Sequence, residues 1–173
     1  MAEGLGENGI VFLGPAEIVV TREPVRVKTV LGSCVAITMY VRRLGWTAIV
    51  HCLLPRAYSS ARAVGSEEAL RYVDTAVEVM CHEALRQGAQ SREMEIKLFG
   101  GAETLFGGQR QPYQVGRMNV KVAEETLAAR GLAVAARCTG GTRGRVIEFD
   151  CQNGSVLVRK LPARFHPPQS EGR

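Results

Sequence analysis

The 173-residue sequence lacks a long uninterrupted apolar stretch. A membrane-spanning helix needs about 20 consecutive apolar residues. The longest candidate, residues 35–54, is interrupted by Arg42, Arg43, Gly45 and His51. The first residues also lack the basic start of a secretory signal. These absences argue against a helical membrane span and predict a cytoplasmic protein.

The sequence also has few aromatic residues and no cluster of basic ones. Aromatic side chains make up 6% of the chain, and the 22 Lys and Arg residues contain no run of four or more. Single-stranded nucleic acids are bound by stacking on aromatic side chains within a basic groove. We therefore expect no nucleic-acid partner, although a net charge of +5 favours acidic protein surfaces.

Paired cysteine motifs are missing too. The chain has five cysteines, an odd number, and no CxxC motif: Cys34, Cys52, Cys81, Cys138 and Cys151. A chain of this length needs no disulfide framework, and a redox-sensing function would lack its resolving pair. A zinc site built from His51-Cys52 and Cys81-His82 is disfavoured, because adjacent residues of a strand point to opposite faces. We expect neither a metal nor a cofactor.

What the sequence does contain is enough apolar material for one domain. Apolar residues make up 46% of the chain, and its length suits a single core. Residues 1–15 are glycine-rich and predict a flexible leader. Residues 162–173 carry three prolines and no apolar period, which predicts a flexible tail. The domain itself is expected over residues 16–161.

The central segments alternate between strand and helix patterns. Two helices are predicted, the first with Ser66 as N-cap and Gly88 at its end, the second with Asn119 as N-cap and Gly131 at its end. The first carries an apolar stripe of Leu70, Val73, Val77, Met80, Ala84 and Leu85. Strands are expected at residues 17–21, 25–30, 34–41, 46–53, 95–99, 132–137, 145–150 and 155–161. These elements predict a layered α/β sandwich with a mixed, largely antiparallel sheet.

Two apolar runs around residues 42–45 predict a hairpin that brings a thiol and an imidazole together. If Val41 pairs with Trp46, then Ala36 faces His51. Because side chains alternate, Cys34 shares the face of Ala36 and lies diagonal to His51, about 5–8 Å away between Cβ atoms. A register error of one residue would place His51 on the opposite face.

A thiol beside an imidazole can carry out nucleophilic acyl transfer. Cys34 would be the nucleophile and His51 its base, while Thr29 is a candidate to orient the imidazole. Gly32 and Ser33 predict a tight turn whose N–H groups could face an oxyanion. Each group also has a structural alternative, since a cysteine in an apolar strand is commonly a small buried hydrophobe. Spacing alone leaves both interpretations open.

Two glycine-rich segments are less specific. Residues 140–145 resemble a phosphate loop, but they lack its Lys-Ser/Thr ending and no helix follows them, so a turn is expected. Residues 99–102 could shape a cleft or simply allow close backbone packing. We keep Phe99, Gly100, Gly101 and Asn119 as candidate cleft residues.

The ordered set of motifs resembles the CheD family. The likeness is carried by Leu-Gly-Ser-Cys-Val-Ala at 31–36, His-Cys-Leu-Leu-Pro at 51–55, Arg-Tyr-Val-Asp at 71–74, Lys-Leu-Phe-Gly-Gly-Ala at 97–102, Val-Gly-Arg-Met-Asn at 115–119, Gly-Gly-Thr-Arg-Gly-Arg at 140–145 and Gly-Ser-Val-Leu-Val at 154–158. The match spans about residues 16–161. One departure is Cys138, where the family pattern would have an acidic residue before the Gly-Gly pair.

The resemblance implies a protein-glutamine deamidase. Such an enzyme hydrolyses the carboxamide of glutamines on bacterial chemoreceptors, through a thioester, and releases ammonia. Matched by position, the family's catalytic cysteine, histidine and threonine fall on Cys34, His51 and Thr29. The resemblance also implies a CheC-type phosphatase as partner. The alternative function is therefore a chemotaxis binding module that acts mainly by modulating this phosphatase.

Overall fold

The computed structural model describes residues 9–57, 67–103 and 114–162. Within these residues the chain forms three layers, in which two helices cover one five-stranded sheet and a four-stranded sheet covers its other face. The strands are β1 Ile10–Phe12, β2 Ile18–Thr21, β3 Arg26–Leu31, β4 Val35–Val41, β5 Trp46–Cys52, β6 Glu95–Gly100, β7 Val134–Thr139, β8 Arg145–Asp150 and β9 Val156–Lys160. The predicted α/β sandwich is confirmed.

The strands divide into two sheets, where the sequence predicts one. The four-stranded sheet has the order β1-β3-β8-β9, and the five-stranded sheet has the order β2-β5-β4-β6-β7. All pairings are antiparallel except β1 with β3 and β6 with β7. The consecutive strands β3 and β4 lie in different sheets because the chain crosses between the sheets at residues 32–34. Strand patterns alone do not reveal that crossing.

Two apolar clusters hold the layers together. One lies between the helices and the five-stranded sheet and includes Val35, Ile37 and Cys52. The other lies between the two sheets and includes Ala36 and Ile49. Strands β4 and β5 are therefore buried on both faces along their whole length. Both strands are central in the five-stranded sheet, which is why their sequences do not alternate between apolar and polar residues.

The helices differ from the prediction at their ends. A 3₁₀ turn, Glu67–Arg71, precedes α1, Val73–Arg86, and Leu85 is 52% exposed rather than part of the buried stripe. The proposed N-cap Ser66 lies outside the described residues. Helix α2 spans Val115–Ala129, so Asn119 is inside the helix and its assignment as N-cap is wrong.

The earlier start of α2 depends on a glycine. A Cβ at Gly116 would lie 2.7 Å from the carbonyl oxygens of both Gly101 and Ala102. Real Cβ atoms do not approach oxygen so closely, so glycine allows the first turn of the helix to rest on this backbone. The helix is thereby fixed against the end of β6.

Residues 10–12 are not part of a flexible leader. They form β1, which pairs with β3 in parallel, and Leu13 behind it is 4% exposed. The reason is the apolar triplet at 10–12, whose Val11 enters the core between the sheets. Most of the predicted tail, residues 163–173, lies outside the described residues. Neither helix in the described part of the chain is long and apolar enough to cross a membrane.

Candidate active site

The β4–β5 hairpin has the predicted register. Val41 pairs with Trp46 and Ala36 pairs with His51. The ladder ends with the pair Val35 and Cys52, so Cys34 lies just beyond it. The hairpin therefore holds the imidazole within the ladder and the thiol at its end.

Cys34 and His51 lie on the face of the five-stranded sheet that meets the other sheet. Cys34 packs against the cluster between the sheets, as does Ala36, the residue paired with His51. Cys52, next to His51 in the chain, packs on the helix side instead. Both candidate catalytic side chains are thus brought to one face, as the alternation of side chains requires.

Thr29 joins them from the other sheet. Its Oγ1 lies 2.9 Å from Nδ1 of His51 and 2.7 Å from the carbonyl oxygen of Leu13. A carbonyl can only accept, so the hydroxyl proton is donated to Leu13 and the hydroxyl oxygen accepts a proton from Nδ1. This pair of hydrogen bonds sets the tautomer of His51: Nδ1 carries the proton and Nε2 keeps its lone pair.

The Nε2 atom of His51 is buried and has no hydrogen-bond partner among the described residues. Cys34, on the same face, makes no hydrogen bond to it. Hydrogen bonds of a catalytic pair are commonly long before substrate binds. The arrangement presents an unshared base next to a partly exposed thiol.

Both groups are held in their neutral forms. Burial raises the pKa of the Cys34 thiol, and a hydrogen bond from its own backbone N–H opposes this rise. Burial lowers the pKa of His51, while the Leu13 carbonyl and the Glu17 carboxylate oppose the decrease. A low-polarity site disfavours the charged form of each group. Both shifts favour a thiol and a neutral imidazole over an ion pair in the resting site.

The turn before Cys34 is anchored through three successive carbonyl groups. The Gly32 carbonyl accepts from Ala102 N–H at 2.9 Å, and the Cys34 carbonyl accepts from Gly101 N–H at 2.7 Å. The Ser33 carbonyl between them accepts from Nδ2 of Asn119 at 2.9 Å. Gly32 and Ser33 form a bend between β3 and β4, and its backbone is bound to the residues that follow β6 and to α2.

The four candidate cleft residues have different environments. Gly101 lines a cleft of about 530 Å³ together with residues 139–142 and α2. Gly100 has a φ of +101°, and a Cβ there would lie 2.2 Å from the Cys34 carbonyl oxygen, so it is a close-packing glycine. Phe99 is buried between the sheets and Asn119 is fully buried.

Two groups near the site were missed from the sequence. The Leu13 carbonyl accepts the Thr29 proton, and Glu17 lies close enough to act on the charge of His51. Backbone pairing also ties this segment down, since the His51 N–H donates to the Glu17 carbonyl at 3.1 Å. The apolar triplet at 10–12 was the available signal, because an additional strand there carries Leu13 to the site.

A second buried polar group lies between the sheets. Arg145 is 1% exposed, and its guanidinium donates to the carbonyl groups of Cys138 and Gly140. One of its nitrogens lies 3.2 Å from Sγ of Cys138. Its Nε has no partner in the described part of the chain. The departure noted at Cys138 thus places a thiol beside a buried cation.

Together, a nucleophilic thiol, an imidazole of fixed tautomer and a threonine that bonds it can perform acyl transfer. Fold and site define a candidate cysteine-dependent hydrolase on an α/β sandwich. The family model described as CheD chemotactic sensory transduction matches residues 53–160. The chain belongs to the CheD family.

Relatives support the same assignment. The chain is 39% identical over 151 residues to the probable chemoreceptor glutamine deamidase CheD 2 of Geobacter sulfurreducens, a match that covers 87% of this chain and 89% of that one. It is 40% identical over 131 residues to the probable chemoreceptor glutamine deamidase CheD of Thermococcus kodakarensis, covering 76% of this chain and 80% of that one. The uncovered part of the first match is shorter than the 28 residues before Thr29, so this match extends across Thr29, Cys34 and His51.

A solved structure gives a weaker likeness. The Bacillus licheniformis hypothetical protein YfiH is 12% identical with a TM-score of 0.39, covering 72% of this chain and 49% of that one. A TM-score of this size supports no argument about the fold or the site.

Proposed function

We propose that this protein is a protein-glutamine deamidase that converts glutamines of chemoreceptors to glutamates. The observation that carries the proposal is the hydrogen bond between Thr29 and His51, which leaves Nε2 of His51 as a free base on the face that Cys34 shares. Most buried polar atoms in protein cores have a hydrogen-bond partner, so an unpaired Nε2 favours a functional over a structural histidine. The names of the relatives, probable chemoreceptor glutamine deamidases, give the substrate class.

In the first half of the reaction, Cys34 attacks the glutamine carboxamide carbon. Because the pair is neutral at rest, the thiol proton passes to Nε2 of His51 as the S–C bond forms. The negative charge moves to the amide oxygen, for which the backbone N–H of Cys34 is the proposed hydrogen-bond donor. The imidazolium returns its proton to the amide nitrogen, ammonia leaves, and a thioester remains on Cys34.

In the second half, water hydrolyses the thioester. His51, neutral again, accepts a proton from the attacking water at Nε2, and the oxygen adds to the thioester carbon. Collapse of this intermediate breaks the S–C bond, and the proton returns to the sulfur. The products are a glutamate side chain and the free thiol. Throughout both halves, Thr29 keeps the ring in the same tautomer.

Two further features belong to the proposal. A chemoreceptor signalling domain is cytoplasmic, so we place the enzyme in the cytoplasm. A CheC-type phosphatase is proposed as a binding partner on the strength of the family resemblance. Mixing the two purified proteins and measuring heat of binding tests this association separately from catalysis.

Deamidation is tested with a purified cytoplasmic chemoreceptor fragment and peptide mass spectrometry. We expect the mass change of a carboxamide becoming a carboxylic acid at defined glutamines. Cys34→Ala removes it, while Cys151→Ala, which changes another buried thiol of the inter-sheet cluster, retains it. Deamidation that persists in Cys34→Ala would overturn the proposed nucleophile. A wild-type protein that binds the phosphatase but modifies no receptor would favour the binding-module alternative.

A further inference from the structure

The side chain of Asn119 connects the two chain segments that carry Cys34 and His51. Its Nδ2 donates to the Ser33 carbonyl at 2.9 Å and to the Leu53 carbonyl at 3.0 Å. Ser33 precedes the thiol, and Leu53 follows the strand that holds the imidazole. Both partners are acceptors, so the amide nitrogen must face them and the orientation of the side chain is fixed.

Asn119 acts from behind the sheet. Helix α2 packs on the helix-facing cluster through Val122, Ala123 and Leu127. Asn119 is one turn earlier on the same face and is 0% exposed. The thiol and imidazole are on the other face of the sheet. Asn119 therefore touches neither reacting side chain and can influence them only through the backbone.

The Asn119 amide links β4 and β5 at the point where the backbone pairing between the two strands ends. That ladder ends at Val35 and Cys52, and beyond it the two strands separate. The Leu53 N–H donates to the Arg71 carbonyl at 2.9 Å instead of to β4. A carbonyl left buried without a partner costs about 1–3 kcal/mol. By bonding Ser33 and Leu53 together, Nδ2 of Asn119 holds the separated ends at a fixed spacing.

The bond to Ser33 also orients the peptide group before the thiol. In a trans peptide the C=O and the following N–H point in opposite directions. With the Ser33 carbonyl directed to Asn119 on the helix side, the Cys34 N–H is directed away from the helix, towards the face of the sheet that carries the thiol. A hydrogen bond accepted by a carbonyl also polarises the N–H of the same peptide.

We propose that Asn119 is a positioning residue for acyl transfer at Cys34, which orients the Ser33–Cys34 peptide as an oxyanion donor and fixes the spacing between the thiol and His51. This inference rests on the proposed deamidase function for its substrate. Its effect on the thiol can be measured without any substrate. That separation distinguishes a failure of this inference from a failure of the proposed function.

Two variants and one control test it. Asn119→Leu keeps the volume and removes both donors. Asn119→Asp retains one donor only while its carboxyl group is protonated. Val122→Ala removes buried packing from the same helix without changing either hydrogen bond. Each protein is assayed for kcat on the receptor fragment and for the rate of Cys34 alkylation by iodoacetamide across a pH series, read by peptide mass spectrometry.

We expect Asn119→Leu to lower kcat at least about tenfold. Complete removal of an oxyanion donor lowers kcat by about 10²–10³, and this variant only misorients the donor. Its alkylation profile shifts to higher pH, because the Cys34 N–H is no longer held in the direction that stabilises the thiolate. The ratio of Asn119→Asp to wild-type kcat falls as the pH rises, since the ionised carboxylate repels both carbonyl groups. Val122→Ala lowers the melting temperature and leaves kcat and the alkylation profile unchanged.

Equal effects of Asn119→Leu and Val122→Ala on kcat and alkylation would overturn the inference, because Asn119 would then act only through stability. A wild-type kcat in Asn119→Leu would overturn it too. If Asn119→Leu does not fold, the pH dependence of Asn119→Asp decides, and a flat ratio contradicts the inference. If the wild type modifies no receptor, the alkylation profiles alone decide it.

Discussion

Thr29 Oγ1 and His51 Nδ1 lie 2.9 Å apart although the two residues belong to different sheets. Thr29 is on β3 of the four-stranded sheet, and His51 is on β5 of the five-stranded sheet. The Leu13 carbonyl completes the chain of hydrogen bonds. The tautomer of the imidazole is therefore determined by the way in which the two sheets pack.

Replacing Thr29 by valine tests that relationship. Valine has nearly the same shape but removes the hydroxyl that accepts from Nδ1–H of His51, and loss of a buried hydrogen-bond partner costs about 1–3 kcal/mol. We expect kcat for deamidation to fall about 10- to 100-fold, because an imidazole that is no longer held in the correct tautomer loses part of the 10²–10⁴-fold rate enhancement typical of a general base. Thr29→Ser keeps the hydroxyl and serves as the control. Equal kcat in Thr29→Val and wild type would show that the tautomer does not depend on Thr29.

The pH dependence of kcat/KM is expected to reflect the buried imidazole. Burial lowers the pKa of His51, and the base is active only when neutral. The acid limb of the profile should therefore lie below the ordinary histidine value of about 6.5. A titration of kcat/KM on the receptor fragment checks this. An acid limb above that value would mean that a charged imidazole is favoured in the free enzyme.

The same group predicts a loss of stability in acid. The folded-state pKa of His51 is below its unfolded value, so the unfolded chain binds an additional proton as pH falls. The contribution of His51 to the free energy of unfolding should be constant above about pH 6.5 and decrease as the pH falls below that value. His51→Gln removes this contribution. Urea titrations of both proteins across the range should give a steeper decline for the wild type.

Gly100→Ala should destabilise the protein strongly. Its φ is +101°, and the added Cβ would lie 2.2 Å from the Cys34 carbonyl oxygen. Gly45→Ala is the matched control, because Gly45 has a φ of +55° and nothing within 4 Å of the added atom. Backbone strain costs about 1–3 kcal/mol in either variant, so a larger loss in Gly100→Ala measures the close approach. Similar losses in urea unfolding would contradict the tight contact.

Cys138 offers a test of the buried cation beside it. Arg145 donates to backbone carbonyl groups and to the Cys138 sulfur, and no carboxylate pairs with it in the described residues. Cys138→Asp should be more stable than the isosteric Cys138→Asn by about 1.5–3 kcal/mol, the range for a hydrogen bond to a charged group. The difference should vanish as the pH falls well below about 3.9, where the carboxyl group is protonated in both folded and unfolded chains. Equal stabilities at pH 7 would mean that the carbonyl groups already satisfy Arg145.

The sequence predicts the register of the β4–β5 hairpin correctly but does not reveal that the strands divide into two sheets. The register of β4 with β5 follows from a four-residue loop between two apolar runs, and this placed His51 and Cys34 on one face correctly. The division into two sheets depends on a crossing at residues 32–34, for which no local pattern exists. Asn119 illustrates the same limit, because its two hydrogen bonds join residues 86 and 66 positions away. Asparagine is a common N-cap residue and was therefore predicted to begin the helix, whereas tertiary packing places Asn119 inside it.

The pairing of β3 with β8 has a consequence for when the protein acquires its chemistry. Arg26 of β3 and Glu148 of β8 are 122 positions apart in the chain and form an ion pair across the two strands. Contacts of such separation form late, because a long loop must close before they stabilise the chain. A nascent chain whose last strands are still within the ribosome lacks the sheet that holds Thr29 against His51. We therefore expect the thiol of Cys34 to have no oriented base during synthesis, and the proposed hydrolytic activity to arise only when the completed sheets dock.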